Sequence, residues 1–293
     1  MTWHQGVLVA WDCESTGVNV ESDRIVTSAV VRIEPGCEPL VRSTVIDPGV
    51  EVPEAAAEVH GWTTERVRAE GKPPAPELDW IAGSLADAFS QGIPVVIANA
   101  PFDLTLLDRE LRRHNLPTLT DRLNGQPIGP VIDPMCIDKA LDRYRPGKRK
   151  LTDLCATYGA KITDAHDCTA DALAAARVAF RLGQRAQQAL ADPLSVVNVY
   201  SDRRYPDRIV RGFQEFAKLT LAKVHAAQVG WYAEQAAGLA QYFRRQANQL
   251  ESEAHRATDD AVRATSLADA EELRQSADGV TTDWPVRPFV GAR

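Results

Sequence analysis

The sequence predicts an α/β protein, a mixed sheet flanked by helices, followed by an additional mostly α-helical C-terminal region. Three observations point there. β-branched runs crowd the first 46 residues, strand and helix patterns alternate up to about residue 190, and polar and turn residues break every pattern just beyond it. A boundary is therefore expected near residue 190. Residues 1–190 form the α/β domain and 191–293 the mostly helical region.

Taken in order, "GVLVAWD" (6–12) reads as a buried strand that ends in a Ser-Thr-Gly turn at 15–17. "RIVTSAVVRI" (24–33) and "PLVRSTVI" (39–46) flank a Pro/Gly turn, which predicts a three-stranded meander. A Pro-rich, acidic stretch with short helices runs to residue 75. A helix is then expected over 76–92 and a buried strand over 93–99. Pro101 opens the next helix, with Leu104, Leu107 and Leu111 as its apolar stripe. "GPVID" (129–133) is another short strand, and helices are expected over 134–143, 151–158 and 169–190.

From Phe213 the chain is expected to be helical. Tyr232, Ala236, Leu239, Phe243, Ala247, Leu250, Ala254, Ala257, Ala261 and Ala264 follow at spacings of three or four, a near-heptad stripe. The stripe is expected to pack on its own chain. Association with a polymerase or with a second copy is the alternative.

Composition excludes several classes. The chain of 293 residues is 44% hydrophobic and 25% charged, an ordinary globular balance. No apolar run reaches the roughly 20 residues that cross a bilayer. "MTWHQGVLVAWDCE" lacks the basic start of a signal peptide. Five cysteines without C-x-x-C pairing are read as reduced thiols, so a cytoplasmic protein is expected. A net charge of −7 argues against coating nucleic acid by electrostatics alone. Basic residues do cluster locally. "RYRPGKRK" holds Arg143, Arg145, Lys148, Arg149 and Lys150, which form either a solvated loop or a phosphate-contacting edge. Residues 201–223 carry six basic residues (Arg203, Arg204, Arg208, Arg211, Lys218, Lys223) against three acids. They are expected to extend a phosphate track, unless Phe213, Phe216, Leu219 and Val224 complete the core.

Chemistry-bearing residues gather at element ends. "WDCESTG" places Asp12 and Glu14 at i and i+2 of a strand, so both carboxylates face one side. "NAPFD" places Asp103 in the first turn of a helix that follows another strand, where the dipole alone favours an acid. "HDCTAD" puts His166 in a loop and Asp171 in the first turn of an alanine-rich helix. Positions five apart on one helix point roughly 140° apart, so the pair shares a site only if His166 precedes the helix. Each element is ambiguous by itself. Together they supply four acids and a histidine that one crevice can gather.

"DCESTG", "NAPFD" and "HDCTAD", in that order, resemble the three motifs of the DnaQ-like (DEDDh) 3′–5′ exonucleases, a family that includes the proofreading epsilon subunit of bacterial DNA polymerase. The resemblance covers roughly residues 6–185 and implies an RNase H-like sheet. It makes Asp12, Glu14, Asp103 and Asp171 the carboxylates for two Mg²⁺ (or Mn²⁺) ions, and His166 the general base. "VHGWT" resembles the segment that meets the 3′-terminal nucleotide, which assigns Val59 and His60 to substrate. Thr16 and Phe102 match positions lining the same pocket. Trp62 either stacks on a base or anchors its loop. Cys13 stands between the first two acids, and its side chain is expected to point away from them. Asp167 lies beside the base.

The implied function is removal of nucleotides from single-stranded DNA 3′ ends by two-metal hydrolysis. The alternative is an exoribonuclease acting on RNA or short oligoribonucleotides. A vestigial nucleic-acid-binding adaptor is the third reading, and retention of all five residues weighs against it.

Overall fold

The computed structural model describes residues 2–162, 166–198 and 203–289. Its first half runs β1 (Leu8–Ser15), β2 (Ile25–Ile33), β3 (Leu40–Val45), α1 (Glu54–His60), α2 (Thr64–Glu70), α3 (Pro74–Ser90), β4 (Val95–Val96), α4 (Ala100–Arg113), α5 (Leu119–Arg122) and β5 (Val131–Ile132). The second half runs α6 (Pro134–Leu141), α7 (Leu151–Tyr158), α8 (Cys168–Ala191), β6 (Val197–Asn198), β7 (Arg203–Arg204), α9 (Asp207–Ala217), α10 (Leu221–Arg256) and α11 (Asp260–Asp278).

Five strands form one mixed sheet in the order β3-β2-β1-β4-β5. β1, β2 and β3 make the antiparallel meander, while β4 runs parallel to both β1 and β5. This is the RNase H-like arrangement that the motif order implies. β4 is shorter than the expected 93–99. Pro94 and Pro130 have no N–H to give the ladder, and Asn99 turns into the left-handed region at φ 64°.

Alternation along β1 divides the molecule into two layers. Val9, Trp11 and Cys13 face a core built with α3 and α4. Ala10 faces a second core built on α8, so Asp12 and Glu14 project toward α8.

One buried carboxylate organises the far side of the sheet. Asp133 accepts hydrogen bonds from Asn99 N and Ala100 N at the start of α4, and from Met135 N and Cys136 N at the start of α6. A single anion thus caps two helices, which sets the direction in which α4 leaves the sheet.

The region past residue 190 shares these cores. Phe213, Phe216 and Val224 are buried beside α8, so the core-completing role considered for them holds, and Leu219 packs against the same cluster. On α10, His225 Nδ1 accepts from Val131 N at 3.1 Å. Gln228 accepts from Asp133 N at 2.7 Å and donates to Val131 O at 2.9 Å. Two side chains thereby satisfy the backbone of strand β5. After α11 the chain returns to α4: Trp284 is buried there, and Arg109 donates to Arg287 O and Pro288 O.

The long stripe is interrupted. Asp259 caps a new helix, accepting from Ala261 N and Val262 N, and α11 folds back on α10 over Ala240, Ala247 and Ala254. Ala261 and Ala264 are exposed on α11 instead of continuing the stripe. Arg244 pairs with Asp278, and Arg274 with Glu251, across this hairpin. Among the described residues, no helix is long and apolar enough to cross a membrane.

Candidate active site

β1, α4 and α8 converge at the C-terminal end of β1. Asp12 and Glu14 are half-buried on the face toward α8. Asp103, 4% exposed, arrives from the first turn of α4. Asp171 occupies the first turn of α8, whose N-cap is Asp167, accepting from Thr169 N and Ala170 N at 3.0 Å each. Asp167, directly after His166, therefore has a structural use as the cap of α8.

His166 lies before that helix, exposed, with φ 73°. This left-handed backbone turns its N–H onto Asp171 Oδ2 at 3.2 Å. One ligand-type atom each from Glu14, His166 and Asp171 lies within 4.8 Å of the others. The five-residue spacing is resolved as the sequence required, with loop and first turn facing each other.

Electrostatics in the crevice are unfavourable for a bare protein. Burial, then the charges of Asp103, Asp171 and Glu14, push the Asp12 carboxyl well above the usual carboxylate range. Burial and then Asp171 and Asp103 push Glu14 up to about 8. Burial raises Asp103 to about 7, against the opposing Cys13 hydrogen bond. Asp171 is raised too, chiefly by burial. Among the described residues none of the four is in an ion pair, and Asp171 Oδ1 is buried with no partner. The donor set is oxygen-rich, crowded and uncompensated, which fits hard divalent cations such as Mg²⁺.

Cys13 does face away from Asp12 and Glu14. Its thiol nevertheless reaches Asp103, donating to Oδ1 at 3.1 Å. Sequence reasoning missed this contact because it joins residues 90 positions apart. It also missed Asp133, although an acid before Pro134 is a helix-start signal.

The residues assigned to substrate are placed differently from one another. His60 is buried at the end of α1, its Nδ1 accepting from Trp62 N at 3.2 Å, and burial lowers its affinity for a proton. A groove of about 450 Å³ joins His60 and Trp62 to His166. Val59 is 52% exposed on the same helix. Trp62 packs on Val26, Val52 and Val67 and carries the Arg66 guanidinium over its ring at 3.6 Å, so it anchors its loop. Thr16 is buried. Its hydroxyl donates to Asp23 Oδ1 and accepts from Arg24 N, which ties off the turn after Glu14. Phe102 is half-buried against the α3–α4 core.

The basic run 143–150 is neither wholly solvated nor wholly free. Arg145 and Arg149 both bind the fully buried Asp138, which also accepts from Tyr158 OH at 2.8 Å. From the 201–223 group, Arg208 stacks over Tyr144. Asp202 of that stretch lies outside the described residues.

The chain is similar to several known proteins. The RNase T family model, described as Exonuclease, matches residues 9–179. A PolC-type DNA polymerase III of Streptococcus agalactiae is 28% identical over 181 residues, covering 61% of this chain and 11% of that protein. A DNA polymerase III subunit epsilon-like protein of Rhodobacter capsulatus is 36% identical over 105 residues, 35% of this chain and 14% of that one. The chain thus spans little more than a tenth of the length of these relatives. A crystal structure of E. coli Exonuclease I in complex with a dT13 oligonucleotide superposes with a TM-score of 0.48 at 20% identity, covering 65% of this chain and 43% of that one.

Proposed function

Because the chain belongs to the exonuclease family of RNase T type, we propose that it is a metal-dependent 3′–5′ exonuclease removing nucleotides from single-stranded DNA ends. The observation that carries this reading is the crevice itself: four carboxylates on three elements, with no cationic side chain among the described residues paired to any of them. Relatives named for DNA polymerase III favour DNA as the substrate, and the same names make a polymerase the favoured partner. Five free thiols suit a cytoplasmic setting.

Asp12, Glu14, Asp103 and Asp171 would hold two divalent ions, Mg²⁺ or Mn²⁺. Such ions, when bound, neutralise the scissile phosphate and make water a competent nucleophile near neutral pH. His166 takes the proton from that water, a task suited to an imidazole on an exposed loop. Its backbone N–H on Asp171 ties base and carboxylate into one unit. Val59 and His60 border the terminal nucleotide, with Val59 offering an exposed apolar contact. Phe102 backs the pocket, and Thr16 fixes the turn after Glu14 from behind.

The test uses 5′-labelled single-stranded DNA and RNA with Mg²⁺, Mn²⁺ or EDTA. DNA should shorten one nucleotide at a time, and EDTA should stop it. Internal cuts, or activity indifferent to chelation, would overturn the reading. His166→Ala should lower turnover about 10²–10⁴-fold while sparing metal affinity measured by calorimetry. Loss of metal binding in that variant would make the imidazole a ligand, as its proximity to Glu14 and Asp171 allows.

A further inference from the structure

A second cavity, of about 560 Å³, opens between α6, the middle of α10 and the segment after α11. Its walls include Lys139, Arg149, Tyr232, Gln235, Phe243 and Arg287. It adjoins the crevice: Asn99, also in its wall, precedes Asp103 by about one helical turn.

Two of the cations here lack an ion-pair partner, although Arg287 also hydrogen-bonds the Tyr232 hydroxyl. Lys139 and Arg287 enter no ion pair among the described residues, and Arg287 Nε is buried without an acceptor. Arg149 shares its single carboxylate, Asp138, with Arg145. Burial and then the neighbouring Arg149 and Arg143 guanidiniums weaken the hold of the Lys139 amine on its proton. The acid in the wall, Asp133, is occupied by the four backbone N–H groups it caps. Tyr232 and Phe243 of α10 add aromatic surface to a wall that also carries the polar Gln235, Ser276 and Thr281.

We propose that this cavity holds one nucleotide unit of the strand upstream of its 3′ end, with the phosphate at Lys139, Arg149 and Arg287 and the base against Tyr232 and Phe243. A π-face and a phosphate are what every nucleotide presents, so the site tracks a single strand without reading its sequence. The inference rests on the exonuclease reading for the identity of the strand. It assigns the C-terminal hairpin a share in substrate binding. The track it implies passes through α6 and α10, and the basic residues of 201–223 are not needed for it.

The test is binding of fluorescent dT15 to the full chain in EDTA, where no strand is cut, at two salt concentrations. Lys139→Gln and Phe243→Ala are compared with the unaltered protein, and thermal melts check that both fold. Each should weaken dT15 about tenfold. Lys139→Gln should also make the log–log salt slope shallower by about 0.7. Hydrolysis of a dinucleotide with Mg²⁺ should not change. Unaltered dT15 affinity and salt slope in a folded Lys139→Gln protein would overturn the proposal. So would loss of binding to free 5′-TMP alone, which would mark a pocket for a free nucleotide instead. Failure of the unaltered protein to cut the dinucleotide would strike the exonuclease reading, which the binding arm does not need.

Discussion

Asp138 and Asp103 are both acids enclosed by the fold, yet they are housed in opposite ways. Asp138 is met by Arg145, Arg149 and the Tyr158 hydroxyl. Glu110 has Arg24 and Arg113, and Glu77 has Arg42 and Lys72. Asp133 has four backbone donors. Asp103 has a thiol and backbone contacts to Cys13 and to its own N–H but, among the described residues, no cation, and its near neighbours Asp12, Glu14 and Asp171 add charge of the same sign. A chain that compensates its buried acids so consistently elsewhere leaves one group uncompensated where three elements meet. Uncompensated buried charge costs several kcal/mol unless something outside the chain supplies the opposite sign. The contrast separates acids paired within the fold from the crevice acids to which the proposed function assigns a cation.

The largest expected effect comes from Asp12→Asn. Turnover should fall by at least about 10²–10³-fold, since charge stabilisation at the scissile phosphate is weakened. Melting of the metal-free protein should rise, because one repelling carboxylate is gone. A lower melting temperature without metal would break the comparison, for Asp12 would then behave as a structural acid.

Asp138→Ala should do the reverse. It strands two guanidiniums, 6% and 17% exposed, and should cost about 3–5 kcal/mol of stability. Metal affinity by calorimetry, measured below the melting transition, should stay within about twofold, an order-of-magnitude expectation for a residue outside the crevice. A large loss of metal affinity would erase the distinction between the two kinds of acid.

The smallest effect is in pH. Folded-state values raised to about 8 for Glu14 and about 7 for Asp103 mean that the folded chain binds more protons than the unfolded one between their ordinary values and these. Stability of the metal-free protein should therefore fall as pH rises from 5 to 8. Added Mg²⁺ should recover more at pH 8 than at pH 5. Scanning calorimetry across that range, with and without the ion, sharpens the comparison; a flat metal-free profile would contradict it.

These differences also explain what was legible in the sequence. Asp12 and Glu14 could be placed on one face because a strand alternates strictly, and Asp103, Asp171 and His166 sit at element ends that local signals mark. The meander was readable from its β-branched runs, whereas β4 and β5 were read too long because Pro94 and Pro130 curtail the ladder. The partner of an acid was the illegible part. Arg145 and Arg149 look like a surface run until Asp138 lies beneath them, and the Cys13 thiol meets Asp103 only after α4 has crossed the sheet. The helical stripe was over-extended because alanines on both sides of Asp259 keep the same spacing, although the acid itself is a helix-start residue.

The His225 and Gln228 side chains that occupy the backbone of β5 also bear on how chains of this kind can accumulate. A sheet grows by recruiting strands at a bare edge, and at β5 the recruiting groups are already engaged. The other edge, β3, keeps Leu40 and Val41 exposed (67% and 46%), and among the described residues its backbone is met at the far end by Lys72. Among the described residues the five-stranded sheet has one bare edge, so two copies paired through it would present two guarded edges of that sheet. Strand-by-strand stacking therefore stops at two, and a fibre would first require α10 to let go of β5.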